Sequence, residues 1–208
     1  MRYREAMDKT NGKIGADALE RLFGGARTYN AWRNEPVGDD ILHELYEQMK
    51  WAPTSANCSP LRILFLKSEA SKRKLEPMLM EGNRAKSMAA PVVAILAYEH
   101  KFYERLDELF PHAPNFKNMF LGENKRAFAE ETAMRNSSLQ GGYFILAARA
   151  LGLDCGPMSG FDTKAVDAHW FPDGDCHVNF LCNLGYGDEA GVHPRSPRLS
   201  FDTACKIL

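Results

Sequence analysis

A single globular domain that mixes amphipathic helices with buried strands is what this sequence predicts, on three observations. Its 208 residues are 45% hydrophobic and 25% charged, the makeup of a chain with one substantial core. Residues 62–67, 91–98 and 176–184 are short apolar runs, and the second is nearly continuous in Val, Ile, Leu and Ala, as in a buried strand. In residues 136–151, Leu139, Tyr143, Leu146, Ala147 and Ala150 recur at helical spacing. Phe144, Ile145, Ala148 and Leu151 make the other faces nearly as apolar, which predicts a core or subunit-interface helix covered on most sides.

Residues 1–15 are polar and without periodicity, and read as a tail; residues 16–208 form the domain. A helix starts near Ala16, includes Leu19, Leu22 and Phe23, and is interrupted by Gly24 and Gly25. Arg27 and Thr28 follow the break. A guanidinium beside a hydroxyl can hold a phosphate, and equally can form a surface ion pair. Residues 39–51 are an amphipathic helix with Asp39 near its N-terminus and Ile41, Leu42, Leu45, Tyr46 and Met49 on one face.

The loop after it, WAPTSANCSP over residues 51–60, sets hydroxyl and amide side chains between two prolines. Such a loop suits the polar edge of a heterocycle, or satisfies its own backbone. A helix over 71–79 separates the first two strands. Asn83 and Lys86 then bring an amide and a cation to the entrance of the second strand, or by themselves are the solvated start of a helix. Residues 99–131 mix Phe102, Tyr103, Phe110, Phe116, Met119, Phe120 and Phe128 with charges and two prolines, and predict a partly helical cover that is either a satellite core or a pocket wall.

Gly152 stands where a left-handed helix cap is usual, and the chain then reads Gly156-Pro157-Met158-Ser159-Gly160. Read as a turn, this stretch could line up the amides of Met158, Ser159 and Gly160 against a flat ligand, or could simply connect two elements. A short helix over 163–170, a turn at Pro172-Asp173-Gly174 and the third strand follow. The tail carries Arg195 and Arg198 among prolines, extended rather than helical.

A formal net charge of −1 gives no basic field for nucleic acid or an anionic membrane. No apolar run reaches the roughly 18 residues of a membrane span. The five cysteines are odd in number and lack CxxC spacing, which suits a reducing, cytoplasmic setting. The glycines at 185, 187 and 191 miss dinucleotide-loop spacing by one position, and prolines follow where a helix is required. Ser159 sits one position late for a nucleophile elbow, with no strand foreseen before it. The six histidines show no paired metal spacing, so single structural or surface roles are expected and no metal is called for.

The ordered set Arg27-Thr28, Pro53 to Asn57, Asn83 with Lys86, Gly156 to Gly160 and Arg195 to Arg198 resembles the nitroreductase-like flavoprotein family over residues 18–207. Ser59 and Leu61 stand where that family usually has glutamine and tryptophan. Within it, WAPTSANCSP, AMRNSS, LGLDCGPMSGFD and NFLCNLGYGD look like the malonic semialdehyde reductases, or 3-hydroxypropionate dehydrogenases, of bacterial uracil degradation. The resemblance implies an α+β fold with a central, mostly antiparallel sheet flanked by helices, in an intertwined homodimer. It further implies one FMN per subunit at the dimer interface and NAD(P)H as co-substrate.

On that resemblance Arg27 and Arg198 grip the FMN phosphate, with Thr28 beside them and Arg195 as a second cation. Pro53, Thr54, Ser55 and Asn57 come from the partner subunit. Asn83 and Lys86 hold the polar edge of the isoalloxazine, and Pro157, Met158, Ser159 and Gly160 lie against the ring. Asn30 stands where relatives often carry a basic residue, and no role is assigned to it. No side chain is required as acid or base, because the flavin N5 carries the hydride. Nicotinamide and a small aldehyde then use the same ring face in turn, with ping-pong kinetics. Arg135 is the candidate for reading the aldehyde's carboxylate; the competing assignment is a surface pair with Glu130 or Glu131. A nitroaromatic or quinone reductase, and a flavin-binding or scaffold dimer without turnover, are the alternatives.

Overall fold

The computed structural model describes residues 12–208, so the first eleven residues of the expected tail lie outside the described residues. In chain order the elements are α1 (Ala16–Leu19, continued by a π-turn over Glu20–Gly24), α2 (Asp39–Met49), β1 (Leu61–Leu66), α3 (Glu69–Leu75) and α4 (Glu81–Ala89). Then come β2 (Val92–Glu99), α5 (Leu106–Leu109), α6 (Arg126–Ala150), β3 (Asp154–Met158), α7 (Thr163–Trp170), β4 (Cys176–Gly185) and α8 (Phe201–Ala204). The four strands form one antiparallel sheet in the order β1-β2-β4-β3. This is the α+β arrangement expected.

Strand β2 explains why its sequence is apolar at successive positions. Val92, Ala94 and Leu96 pack with Leu42, Leu45 and Met49 of α2 and Phe144, Ala147 and Ala148 of α6. Val93 and Ile95 face the other way, against Leu75, Leu79, Phe161 and Val166. Both faces are buried, so the period-two alternation of a half-exposed strand is absent. Each Val, Leu, Ile, Met or Phe side chain so removed from water contributes about 1.5–3 kcal/mol.

β3 was not foreseen, because Asp154-Cys155-Gly156-Pro157-Met158 has neither apolar continuity nor alternation. Within the sheet it is the edge strand beside β4, where a proline without an N–H is tolerated. The stretch expected to be a turn is therefore mostly strand, and the turn proper begins at Ser159. A strand therefore does precede Ser159, which still sits one position late for a nucleophile elbow.

α6 also departs from expectation. It starts ten residues earlier, and its buried face carries Thr132, Asn136, Ser137 and Gln140 together with Gly141, Phe144, Ala147 and Ala148. Met134, Leu139 and Tyr143 are 44%, 50% and 43% exposed, so within one chain the helix is not covered on most sides. The buried polar groups have partners: Asn136 Oδ1 accepts from Ser55 N at 2.8 Å and Gln140 Oε1 from Leu61 N at 3.0 Å. Gly141 is required because a Cβ there would stand 2.6 Å from the Phe180 ring. Tyr46, expected on the apolar face of α2, is 53% exposed beside buried Leu42, Leu45 and Met49.

Segment 99–125 folds as short helical turns with a small core of its own. Phe102, Leu106 and Phe120 are buried with Cys58 against Ala129 and Ala133 of α6, and Tyr103, Phe110 and Phe116 pack around them. Of the two readings of these aromatics, satellite core describes most of them; Phe128 is exposed. Among the described residues no helix is long and apolar enough to cross a membrane.

Candidate functional site

Asn83 and Lys86 stand three residues apart on α4 and so share a face. Asn83 Nδ2 donates to the Gly160 carbonyl at 2.8 Å, and Met80 N donates to the same oxygen at 3.0 Å. These bonds fix the turn after β3 against the start of α4. Only glycine admits the contact, since a Cβ at 160 would lie 2.4 Å from Asn83 Nδ2. Among the described residues, the amides of Ser159 and Gly160 donate to no protein group, which leaves two backbone donors at this turn.

Lys86 is half-buried, and Asn30 Oδ1 at 3.2 Å is the polar partner its ammonium has. Among the described residues no carboxylate lies within ion-pair distance of it, and burial lowers its pKa. The Trp32 indole donates to the Lys86 carbonyl at 3.0 Å and holds this turn of α4 against the loop after α1. A desolvated cation without a counter-ion, on the helix face that also carries Asn83, favours a ligand that is anionic or carries partial negative charge. Asn30 was given no role in the sequence and Trp32 was missed; nothing local shows that either meets Lys86, 56 and 54 residues further along the chain.

The loop carrying Arg27 and Thr28 is docked on β3. Thr28 bridges Cys155 in parallel, and Tyr29 N donates to the Cys155 carbonyl at 3.1 Å. The role of Gly156 follows from this docking rather than from a ligand, because a Cβ there would stand 2.7 Å from the Tyr29 carbonyl oxygen. The C-terminal tail crosses the same loop. Arg27 donates to the His193 carbonyl, and Arg195 Nη2 donates to the carbonyls of Gly24 at 2.6 Å and Ala26 at 3.2 Å. Arg198, expected beside Arg27, instead bonds the carbonyls of Ser196 and Pro197 in its own segment. Thr28, Arg195 and Arg198 are exposed and Arg27 half-buried.

The loop with Pro53, Thr54, Ser55 and Asn57 makes its hydrogen bonds to other parts of the chain. Ser55 N is held by Asn136, Asn57 Nδ2 donates to the Leu109 carbonyl at 2.9 Å, and Thr54 Oγ1 accepts from Ser59 N at 3.2 Å. No hydrogen bond joins it to Arg27, Asn83, Lys86 or Gly160 within the chain. Its backbone is strained, with Ala56, Asn57 and Ser59 at φ of 49°, 50° and 40°, of the order of 1–2 kcal/mol for each residue other than Asn. Pro53, Ser55 and Asn57 remain exposed. Arg135 is on the exposed side of α6, paired with Glu131, its side chain 64% exposed; this is the surface pairing named as the competing assignment.

Two histidines that show no spacing motif in the sequence meet in the fold. The rings of His100 and His177 lie 4.1 Å apart, and with Glu130 they form a group whose ligand atoms all fall within 4.8 Å of one another. Residues 77 positions apart in sequence show no motif; antiparallel pairing of β2 with β4 brings them together.

Over 191 residues the chain is 53% identical to a protein of Cupriavidus pinatubonensis named as a proposed NADH dehydrogenase/NAD(P)H nitroreductase, covering 92% of this chain and 97% of that one. A protein of Polynucleobacter asymbioticus with the same designation is 54% identical over 195 residues, covering 94% and 98%. In structure, a proposed nitroreductase from Exiguobacterium sibiricum in complex with FMN superposes with a TM-score of 0.80 at 20% identity, covering 94% of this chain and 99% of that one. The sequence pattern of the Nitroreductase family matches residues 25–186, a span that holds the Arg27 loop, α4, the whole sheet and the turn after β3, and the chain belongs to that family.

Proposed function

We propose that this chain is an FMN-dependent NAD(P)H oxidoreductase that acts as a cytoplasmic homodimer and reduces malonic semialdehyde to 3-hydroxypropanoate. The observation that carries the flavin assignment is Lys86, a half-buried ammonium with no carboxylate partner beside a turn whose amides are free. Those residues fit the pyrimidine edge of an isoalloxazine, which gains negative charge when a hydride is accepted. Support from outside the chain is the FMN in the Exiguobacterium structure and the NAD(P)H in the relatives' names.

FMN supplies the hydride-accepting and hydride-donating chemistry. The chain's own contribution is positioning and charge. Lys86 and the Ser159 and Gly160 amides stabilise anionic character, Asn83 offers its unpaired Oδ1 to a ring N–H, and Arg27, Thr28, Arg195 and Arg198 supply donors for the phosphate. Half-buried Pro157 gives the ring an apolar surface, whereas the Met158 side chain is buried in the core with Val93 and Ile95 and offers only its backbone. The Pro53 to Asn57 loop completes the site from a second copy, which also covers Met134, Leu139 and Tyr143 of α6.

The aldehyde assignment rests on the wording of the four segments at 51–60, 133–138, 151–162 and 179–188. Arg135 is the carboxylate reader in this proposal. Its exposed i,i+4 pair with Glu131 costs only about 0.3–0.5 kcal/mol to open. A second reading, a nitroarene or quinone reductase, is favoured by the relatives' names.

The deciding experiment is anaerobic. The purified protein should be yellow, bleach with NADH or NADPH, and recolour with malonic semialdehyde but not with a nitroarene. Recolouring by nitroarene alone selects the second reading. A colourless protein that takes up no FMN refutes the flavin assignment itself.

A further inference from the structure

Away from the Lys86 face, four side chains from four segments converge: His100 just after β2, His177 at the start of β4, Glu130 on α6 and Asp167 on α7. The arrangement is that of a metal site with its outer support. Asp167 Oδ2 holds His177 Nδ1 at 2.8 Å, and Asp167 Oδ1 accepts from Val178 N at 2.7 Å. The carboxylate is thereby fixed, and with the proton on Nδ1 it leaves His177 Nε2 as a free lone pair. A carboxylate behind a histidine is the usual way of setting the tautomer and orientation of a metal ligand.

His100 supplies the second observation. Among the described residues its ring makes no hydrogen bond, and Nδ1, the nitrogen that faces Glu130, stands 3.7 Å from Glu130 Oε1. That separation is too long for a hydrogen bond. It is close to the spacing of two donors on one tetrahedral ion, about 3.4 Å when each lies 2.0–2.2 Å from zinc. Drawing all three ligand atoms in from their 4.8 Å envelope takes side-chain shifts of about 1 Å.

The charges also balance. Two neutral imidazoles, one carboxylate and a dication leave one positive charge, and Asp167 behind His177 offsets it. A cavity of about 450 Å³ adjoins the group, lined by His100 and Glu130 and by Glu123, Asp173 and Asp175, opposed by Lys101 and Arg126. It gives an ion access and leaves room for a water as fourth ligand. Tyr98 packs edge-on against both rings, at 5.7 and 5.9 Å, and limits their rotation.

We propose that His100, Glu130 and His177 form a binding site for a divalent cation of the zinc class, with Asp167 as the positioning carboxylate. Bound there, the ion ties the segment after β2 to the sheet, to α6 and to α7, and so fixes the base of the 99–125 cover. The site does not depend on the flavin assignment.

The test uses the full-length purified protein, treated with chelator, dialysed against zinc chloride, and analysed for metal after gel filtration. One zinc per chain is expected, with a rise in Tm on zinc addition. His100→Ala and His177→Ala should lose both effects, and Asp167→Asn should weaken zinc binding about 10–100-fold while leaving the stoichiometry. Should either alanine variant fail to fold, Glu130→Gln, a partly exposed helix position, decides between the outcomes. Absence of stoichiometric zinc in the wild type overturns the proposal. So does uptake undiminished in Glu130→Gln and His177→Ala, which would put the metal elsewhere, such as on exposed Cys205.

Discussion

Replacing Lys86 by Met removes the ammonium while keeping most of the side chain's length and apolar stem. In the flavin-free protein the cation is a liability, half-buried with one amide oxygen as partner. Loss of that bond is offset by relief from desolvation, so the stability of Lys86→Met should equal or exceed that of the parent. Flavin binding should move the opposite way. A charge-assisted hydrogen bond to the ring edge is worth about 1.5–3 kcal/mol, which is roughly a tenfold to over a hundredfold loss of FMN affinity. The pH dependence adds a second signature. Burial lowers the Lys86 pKa below its ordinary 10.5, so between the lowered value and 10.5 the unfolded chain holds more protons than the folded one. Stability attributable to Lys86 therefore rises with pH across that window, and FMN affinity falls as pH rises through the lowered value. Both slopes should vanish in Lys86→Met. Urea unfolding measures the first slope, and fluorescence titration of FMN into flavin-free protein measures the second, both from neutral to alkaline pH. Parental FMN affinity in Lys86→Met, with an unchanged alkaline slope, would refute the reasoning.

Arg198→Ala should weaken FMN binding more than Arg195→Ala, because Arg195 is spent on the Gly24 and Ala26 carbonyls while Arg198 bonds only its own segment; equal and negligible effects in flavin titration remove both from the site. Dilution should release FMN in step with dissociation of the dimer, since the Pro53 to Asn57 loop makes no hydrogen bond to Lys86 or Gly160 in its own chain; a monomer by mass that keeps its flavin excludes a shared site. Arg135→Leu should raise the KM for malonic semialdehyde about tenfold, the scale of one charged hydrogen bond, and leave a quinone substrate nearly unchanged; parallel losses in steady-state kinetics with both would assign Arg135 to the fold. Gly156→Ala should destabilise by about 1–3 kcal/mol in urea unfolding, because its Cβ meets the Tyr29 backbone oxygen at 2.7 Å; a change under about 0.5 kcal/mol would show that the Arg27 loop can move away.

By itself the sequence determined the elements whose information is local. Strands β1, β2 and β4 and helices α2 and α7 were placed to within two residues, because a buried strand needs an apolar run and an amphipathic helix needs apolar residues at helical spacing. The polar loops and their order were legible too, and they carried the family resemblance. Tertiary structure alone decided the rest. β3 exists because β4 offers it hydrogen bonds, not because Gly-Pro favours a strand. Asn136 and Gln140 are buried in α6 because backbone amides of the 53–61 segment need acceptors there, while Leu139 and Tyr143 are left outward. Asn30 meets Lys86, Arg195 meets the loop of Arg27, and His100 meets His177 across spans of tens of residues or more. Such contacts are fixed by how the sheet pairs and how loops and helices dock on it, and a periodicity read over a few turns of chain contains no information about them.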